Sequence, residues 1–194
     1  MNEKEKAKKG LLYDANYDAS LIKERTWAQD ICYEYNQIRP SNMNERKTLI
    51  EKLIAKTGKS FLIEQPFWCD YGYNVEFGEN FYANHNFIIL DGAKVTFGDN
   101  VFIAPNCGFY TAGHPLDVEQ RNQGLEYAYP ITVGNNVWFG ANVTVLPGVT
   151  IGDNSVIGAG SVVNRDIPAG VIAAGNPCKV VRSITEEDKK KYWK

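Results

Sequence analysis

The sequence has few residues of the kinds that bind metals or form disulfides. Its cysteines, Cys32, Cys69, Cys107 and Cys178, are scattered without a CxxC pair, which favours reduced thiols over a disulfide framework or a zinc site. There are 2 histidines, too few for the three-histidine ligand set of a zinc hydratase. We therefore expect no metal cofactor.

Long apolar runs and strong net charge are also missing. No apolar run approaches the roughly 18 residues that suggest a membrane span, and the N-terminus lacks the apolar segment of a secretory signal. The net charge of −2 gives no general attraction to nucleic acid. We expect a cytoplasmic protein that binds neither membranes nor nucleic acid, with one domain and a modest appendage.

The back half of the chain has a period of six. An apolar residue recurs at Val133, Phe139, Val145, Ile151, Ile157 and Val163. Glycine follows at Gly134, Gly140, Gly152 and Gly158. This period fits neither an α-helix nor a single strand, and it predicts a parallel β-helix with aliphatic side chains on its axis. We expect the glycines to let the backbone bend at the corners.

Earlier hexads extend the predicted β-helix to residues 61–184. They run from Phe77 to Phe109 with one two-residue slip, and the pattern then vanishes until Val133. Residues 110–130 are therefore predicted to form an extruded loop. Loops of this length are usually functional or disordered. The hexads predict roughly four coils, preceded by an irregular one from Phe61. So short a stack leaves flat apolar sides, and we expect a homo-oligomer, with a trimer suiting the threefold cross-section.

The first 60 residues are predicted to be helical, and residues 185–194 to be a polar tail with a short helix. Apolar residues at helical spacing predict a helix from Ser20 to Gln37. Ser41 is the expected N-cap of a second helix that Gly58 ends. A shorter helix is expected at the N-terminus.

Several segments of the chain have the form of motifs: Asp70–Asn74 (DYGYN), Phe81–Asn84 (FYAN), Gly113–Asp117 (GHPLD), Pro130–Val163 and Gly175–Arg182 (GNPCKVVR). Together they closely resemble the galactoside and maltose O-acetyltransferases of the hexapeptide acyltransferase superfamily. The resemblance implies a left-handed parallel β-helix, a departure from the right-handed crossover rule. It also implies a homotrimer that binds acetyl-CoA, its cosubstrate, between adjacent subunits. The spacing itself does not show the handedness.

His114 is the candidate general base. It opens the extruded loop, it occupies the family's catalytic position, and a histidine ordinarily titrates near neutral pH. Two roles stay open for Glu126: it accepts a hydrogen bond from the second imidazole nitrogen and so fixes the tautomer, or it is an ordinary exposed carboxylate. Trp138 is expected to form a wall of the site, and His85 to be structural or to line it.

The resemblance also assigns residues that bind the acceptor. Carboxylates and amides suit sugar hydroxyls, which donate and accept hydrogen bonds. For Asp91 a structural role in a corner turn stays equally open, and Gly92 stands where a galactoside-acetylating relative has a second aspartate. The expected acceptor-binding residues are Asp14, Asn16, Asp70, Asn84, Asp91 and Trp138.

Coenzyme A has an extended pantetheine arm and phosphate groups. Ala141 and Ala159 are expected to contact the arm through their main chain, although relatives often have a serine at the position of Ala141. Arg165, Lys179 and Arg182 are expected to form the basic cluster that phosphates require.

These observations favour an acetyl-CoA-dependent O-acetyltransferase that acts on a sugar or glycoside of the maltose, glucose or galactoside class. Attack by the hydroxyl is expected to be direct, in a ternary complex with His114 as the base. Two alternatives stay open: a hexapeptide acetyltransferase for serine or an antibiotic, and a non-catalytic β-helical scaffold.

Overall fold

The computed structural model describes residues 1–192. The chain begins with helix α1 (Glu3–Lys8), a short strand β1 (Tyr13–Asp14), and helices α2 (Ala19–Gln37) and α3 (Met43–Leu53). The rest is a three-sided β-solenoid of about six turns. The prediction of a helical segment followed by a β-helix is confirmed.

The ends of α3 differ from the prediction. Its N-cap is Asn42 and not Ser41, and it ends at Leu53. Gly58 does not end the helix, since it lies against the solenoid, where a Cβ atom would clash with the carbonyl of Gly78. The helix stops earlier because Ile54 is already extended and its buried side chain joins the solenoid core.

Each side of the solenoid is a parallel sheet. Side 1 contains β2 (Phe61–Ile63), β5 (Phe81–Ala83), β8 (Phe102–Ile103), β13 (Trp138–Phe139), β16 (Val156–Ile157) and β18 (Val171–Ala174), with β19 (Lys179–Ser183) added antiparallel. Side 2 contains β3 (Phe67–Cys69), β6 (Phe87–Leu90), β9 (Gly108–Tyr110), β14 (Thr144–Val145) and β17 (Val162–Val163). Side 3 contains β4 (Val75–Phe77), β7 (Val95–Phe97), β12 (Ile131–Val133) and β15 (Thr150–Ile151).

Regular pairing already begins at Phe61, where an irregular coil was expected. Phe61 is in register with Phe81, and Phe67 with Phe87, so the turn from Phe61 onward pairs in register with the turn that follows it. The axis is filled by aromatic rings in the early turns and by aliphatic side chains in the later ones. Phe109 and Phe139, whose ring centroids lie 5.2 Å apart, join the two regions.

The corners are turned mainly by asparagine, which corrects the expected role of glycine. Asn136, Asn142 and Asn154 have φ of 57°, 59° and 58°, a left-handed conformation that asparagine tolerates better than most residues. Gly134 does not have a positive φ, and a Cβ atom there would strike the Asp153 carboxylate on the next turn. The glycines of the hexads therefore permit close stacking of turns.

The asparagine amides also form a ladder between turns. The Asn100 amide donates to Asn136 at 3.0 Å, and the Asn136 amide donates to Asn154 at 2.8 Å. These bonds lie at the corner between sides 3 and 1, and they link side chains on three consecutive rungs.

The predicted extruded loop is an ordered arm, defined here as residues 111–130. It leaves the solenoid between β9 and β12 and contains β10 (Ala112–Gly113), helix α4 (Val118–Asn122) and β11 (Leu125–Ala128). Strand β11 pairs antiparallel with β10 and, on its other edge, with β1. The arm and the N-terminal segment therefore share one small sheet.

The tail contains a 3₁₀ helix (Glu186–Lys190); the last two positions of the predicted tail lie outside the described residues. All four cysteines are buried and free. Within residues 1–192, no helix is long and apolar enough to cross a membrane.

The outer faces of the three sides differ in polarity. Side 3 presents Glu76, Thr96, Thr132 and Thr150. Side 1 presents Tyr82, Phe102, Trp138, Val156 and Ile172, and side 2 presents Trp68, Ile88, Thr144 and Val162. Phe102 is 42% exposed and Trp138 53% exposed, so side 1 carries an unusually apolar surface for a lone subunit.

Candidate active site

His114 lies at the start of the arm, just after β10. Its Nδ1 lies 3.0 Å from the carbonyl oxygen of Leu125. A carbonyl can only accept, so in the neutral ring Nδ1 carries the proton and Nε2 keeps its lone pair. The imidazole is about half exposed, and its Nε2 is therefore available as a base.

Glu126 lies on the other side of the same imidazole. Its Oε1 is 3.8 Å from Nε2 of His114, too far for a hydrogen bond, while its Oε2 accepts from the Tyr13 hydroxyl at 3.2 Å. The expectation that Glu126 fixes the tautomer is therefore corrected, because the Leu125 carbonyl does so. The Glu126 carboxylate lies instead on the side of Nε2, where an acceptor would bind.

Asp70 follows β3 at the corner between sides 2 and 3, called corner 2–3 below. Burial raises the pKa of its carboxyl to about 7, and the charge of Asp91 adds to the effect. Arg25 opposes this shift, whereas Glu126 adds to it. Within residues 1–192 the Asp70 carboxylate accepts no hydrogen bond, so it is free to accept one from a ligand.

Asp91 is fully buried, which corrects its expected role in binding the acceptor. Its Oδ1 accepts from the backbone N–H groups of Asp70 and Tyr71 at 3.0 and 2.9 Å, and its Oδ2 faces the N–H of Asn74 at 3.4 Å. Burial raises the pKa of Asp91 to about 6, while these backbone hydrogen bonds act to lower it. Asp91 is thus the structural corner aspartate, and it supports the backbone of Asp70.

The N-terminal candidates reach the arm through β1. Asp14 is in register with Leu125, and its Oδ1 accepts from the N–H groups of Asn16 and Tyr17 at 3.2 and 2.9 Å. The Asn16 amide donates to the Gly124 carbonyl at 2.7 Å. Asn16 therefore fastens the N-terminal segment to the arm, and the half-buried Asp14 stays near the site.

Sequence patterns did not point to three residues that lie near the site: Tyr13, Arg25 and Tyr71. Arg25 donates from Nη1 to the Tyr71 hydroxyl at 3.0 Å and to the Ala15 carbonyl at 3.1 Å, which ties the N-terminal segment to the solenoid. Tyr13 contacts Glu126 across 113 sequence positions. No local pattern could have revealed that pairing.

Several of the remaining acceptor and coenzyme candidates lie at a different corner, between sides 1 and 2, called corner 1–2. Asn84 follows β5 there, Ala141 follows β13 and Ala159 follows β16. The N–H of Gly160 donates to the Ala141 carbonyl at 2.8 Å, so these corners stack directly. Trp138 lies on the exposed face of side 1 beside them.

The predicted site residues therefore divide between two corners, with side 2 between them. His114, Glu126, Asp70 and Asp14 belong to corner 2–3, and the coenzyme candidates mostly to corner 1–2. Within one chain the predicted residues therefore form two separate groups. A cavity of about 870 Å³, lined by residues of α2 and α3 such as Tyr33 and Glu45, contains none of the predicted residues.

Comparison with known proteins identifies the family. Residues 6–58 match the maltose acetyltransferase hexapeptide capping motif, and residues 130–165 match the bacterial transferase hexapeptide model of six repeats. The galactoside O-acetyltransferase of Escherichia coli (strain K12) is 49% identical over 90% of this chain and 86% of its own. The chain belongs to the galactoside and maltose O-acetyltransferase family.

Other relatives agree with this assignment. A Saccharomyces cerevisiae protein with a provisional acetyltransferase name is 60% identical over 92% of this chain and 91% of its own. A galactoside acetyltransferase in complex with coenzyme A has a TM-score of 0.95 and 46% identity, covering 100% of this chain and 96% of that one. A maltose O-acetyltransferase from Clostridium difficile 630 has a TM-score of 0.93 and 47% identity, covering 96% and 99%. The protein is an acetyl-CoA-dependent acetyltransferase of this type.

Corner 1–2 fits the coenzyme of this family. Within residues 1–192, the backbone N–H groups of Ala141 and Ala159 donate no hydrogen bond, so an extended amide chain could pair with them. A Cβ atom at Gly160 would meet nothing within 4 Å, which leaves the corner open. When bound, acetyl-CoA supplies the acetyl group as a thioester.

The predicted phosphate-binding residues do not form one cluster. Lys179 is exposed and in register with Ala174, on the turn that follows Ala159. Arg182 forms a bidentate ion pair with Asp188 at 2.8 and 2.7 Å, so its guanidinium already has a partner. Arg165 follows β17 at corner 2–3, on the same edge as His114. Among residues 1–192, no group of three or more His, Cys, Asp or Glu side chains could hold a metal ion.

Proposed function

We propose that this acetyltransferase transfers the acetyl group to a hydroxyl of a sugar or glycoside, with His114 as the general base. The observation that carries the proposal is the hydrogen-bonded imidazole of His114, whose Nδ1 faces a carbonyl at 3.0 Å and whose Nε2 lies beside a carboxylate at 3.8 Å. The Leu125 carbonyl holds the ring in the basic tautomer, and the Glu126 charge favours the imidazolium that forms.

The reaction needs one proton to move twice. Nε2 of His114 takes the proton from the acceptor hydroxyl as its oxygen attacks the thioester carbonyl, and the C–S bond breaks. The imidazolium then gives that proton to the departing sulfur. The free N–H of Ala141 is placed to stabilise negative charge on the carbonyl oxygen, since a serine side chain is not available there.

The acceptor side is rich in hydrogen-bond acceptors, which supports a polyhydroxylated substrate. Asp70 and Glu126 offer carboxylates at corner 2–3, and Asn84 offers an amide from corner 1–2. The Asn84 Oδ1 accepts from the N–H of His85 at 2.8 Å, so its amide NH₂ is directed away and can donate to a sugar oxygen.

We further propose that the enzyme is a homotrimer whose sites each combine corner 2–3 of one copy with corner 1–2 of the next. Sides 1 and 2 are the apolar sides, and they meet at corner 1–2, whereas side 3 is polar. If side 1 of each copy packs against side 2 of the next, the contact is head-to-tail and can close into a ring. In the proposed ring, corner 2–3 of each copy lies beside corner 1–2 of a neighbouring copy.

A panel of acceptors tests the acetyl transfer. Maltose, glucose, methyl galactoside, serine and an aminoglycoside would each be incubated with acetyl-CoA, and free coenzyme A thiol would be measured. Sugars are expected to react fastest. His114→Ala is expected to lose about 10²–10⁴-fold in turnover, and the control His85→Ala far less. Transfer only to serine or the aminoglycoside would reject the sugar, and near-normal turnover in His114→Ala would reject the base.

Subunit mixing tests the shared site. His114→Ala and Asn84→Ala each damage a different corner, so a mixed trimer contains some sites built from two intact corners. Random reassembly of equal amounts should recover about a quarter of wild-type activity, because the ring order is fixed by the head-to-tail contact. Mixtures no more active than the separate variants would show that each site lies within one chain.

A further inference from the structure

We propose that Tyr13 is a positioning residue that holds the Glu126 carboxylate beside His114, and that Gly92 is glycine because the Tyr13 hydroxyl occupies the space of a side chain there. This inference rests on the proposed function, since it names how one side of that acceptor site is built. It assigns a role in the chemistry to the N-terminal segment.

The contacts place Tyr13 directly behind the carboxylate. Tyr13 and Glu126 face each other in the antiparallel pair of β1 and β11. Tyr13 is 2% exposed, and its hydroxyl donates to Oε2 of Glu126 at 3.2 Å. The other oxygen, Oε1, is the one that lies 3.8 Å from Nε2 of His114. One end of the carboxylate is therefore anchored while the other faces the base.

The Tyr13 hydroxyl keeps its proton under all ordinary conditions. Burial raises its pKa, and the charge of Glu126 adds to this. A protonated phenol beside a carboxylate donates a charge-assisted hydrogen bond, which is stronger than a neutral one. The contact thus restricts the rotation of Glu126 in a way that packing alone would not.

Gly92 and Tyr13 form a matched pair. A Cβ atom at Gly92 would lie 2.8 Å from the Tyr13 hydroxyl oxygen and 3.4 Å from the Ala128 Cβ. The φ of Gly92 is not positive, so its backbone would accept alanine. The obstacle to a side chain at Gly92 is therefore mainly the hydroxyl of Tyr13.

The arrangement has a consequence for the acceptor. Nε2 of His114 and Oε1 of Glu126 are both hydrogen-bond acceptors, and they lie 3.8 Å apart. One hydroxyl can donate to the imidazole while its neighbour on the sugar donates to the carboxylate. Tyr13 would thus make the enzyme prefer acceptors that carry a second hydroxyl next to the one acetylated.

The first test compares Tyr13→Phe with Tyr73→Phe. The Tyr73 hydroxyl also donates to a carboxylate, Oε2 of Glu24 at 2.7 Å, but neither residue contacts Glu126 or His114. We expect Tyr13→Phe to lower kcat/KM for methyl glucoside about tenfold, the effect of losing one hydrogen bond to a charged group. The KM for acetyl-CoA should not change, and Tyr73→Phe should leave both constants as they are. Equal losses in the two variants would overturn the proposal.

Two combinations separate positioning from general destabilisation. In a Glu126→Gln background, Tyr13→Phe should lower kcat/KM for methyl glucoside little further, because the carboxylate that Tyr13 holds is already replaced by an amide. Gly92→Ala should reproduce the loss of Tyr13→Phe by displacing the hydroxyl, and should add little to it when the two are combined. Additive losses in either double variant would show that Tyr13 does not act through Glu126.

Specificity and spectroscopy give the remaining readouts. The wild type should prefer methyl glucoside over a deoxy analogue that lacks the neighbouring hydroxyl, and Tyr13→Phe should lose that preference. In NMR spectra, Tyr13→Phe should shift the ring signals of His114 but not those of His85. If the wild type does not acetylate sugars, the proposed function is rejected. The NMR comparison can still be made in that case, because it does not depend on turnover. Unmoved His114 signals would reject the role of Tyr13.

Discussion

The raised pKa of Asp70 leads to a prediction about stability. We expect Asp70→Asn to stabilise the protein at pH 8 and to have almost no effect near pH 4, while it lowers acetyl transfer. The ionised carboxylate is confined in a buried corner beside Asp91 and Glu126, with Arg25 as the opposing cation. An amide of the same shape removes the charge and keeps the packing.

The magnitude follows from linkage. The pKa of Asp70 is raised from 3.8 to about 7, so the folded protein holds the proton more tightly than the unfolded chain does. Its contribution to stability therefore falls as pH rises between those two values. One unit of pKa corresponds to about 1.4 kcal/mol, which gives a ceiling of about 4 kcal/mol. Because the side chain is partly exposed, screening by solvent reduces this, and we expect about 1–3 kcal/mol.

The assay is urea unfolding of wild type and Asp70→Asn at several pH values, at one fixed protein concentration because the proposed trimer couples assembly to stability. The difference in unfolding free energy should grow from near zero at pH 4 to a plateau above pH 7. A difference independent of pH, or a variant less stable than wild type at pH 8, would refute the reasoning. Unchanged acetyl transfer in Asp70→Asn would also refute the reasoning, because the charge of Asp70 would then be unfavourable for folding without serving to bind the acceptor.

Four further predictions follow from contacts described above. Asp91→Asn should destabilise the fold by about 1–3 kcal/mol, measured by urea unfolding, because an amide NH₂ would face backbone donors; a stabilised variant would contradict this. Asn154→Ala should lower the free energy of unfolding by about 1–2 kcal/mol, because position 154 has a left-handed backbone conformation. Asn154→Gly should lose less stability than Asn154→Ala, and equal melting temperatures of the two variants would contradict this. Lys179→Ala should raise the KM for acetyl-CoA without changing that for the sugar, and a change in the sugar KM alone would exclude phosphate binding. Phe102→Lys should yield monomers without activity in sedimentation experiments, and an intact active oligomer would show that side 1 is not an interface.

Periodicity predicted the solenoid well because each rung is a local unit. The hexads from Val133 to Val163 place every sixth side chain on the axis, and these side chains are buried. The first turns were undercounted because their spacing differs: β3 and β4 start eight positions apart at Phe67 and Val75, whereas β13 and β14 start six apart at Trp138 and Thr144. Those additional residues lie at corner 2–3 and include Asp70.

Sequence patterns pointed to candidate residues but not to their geometry. His114 and Glu126 face each other on the arm, Asp70 lies at the same corner after β3, and their roles in the site stay predictions. The tautomer was assigned to the wrong partner because a backbone carbonyl, that of Leu125, has no signature in sequence. The two roles open for Asp91 could not be separated for a related reason: only the three-dimensional structure shows that its Oδ1 accepts from the backbone of Asp70 and Tyr71.

The pairing of β1 with β11 also bears on the order in which the enzyme can be assembled. Solenoid rungs can add one upon another, each contacting its neighbours, but Tyr13 must wait for a partner 113 positions further along the chain. A growing polypeptide thus completes the edge that carries β1 and β11 only after the arm has been synthesised. A truncation that removes β1 would remove the partner of Glu126, although Tyr13 and Glu126 are far apart in the sequence.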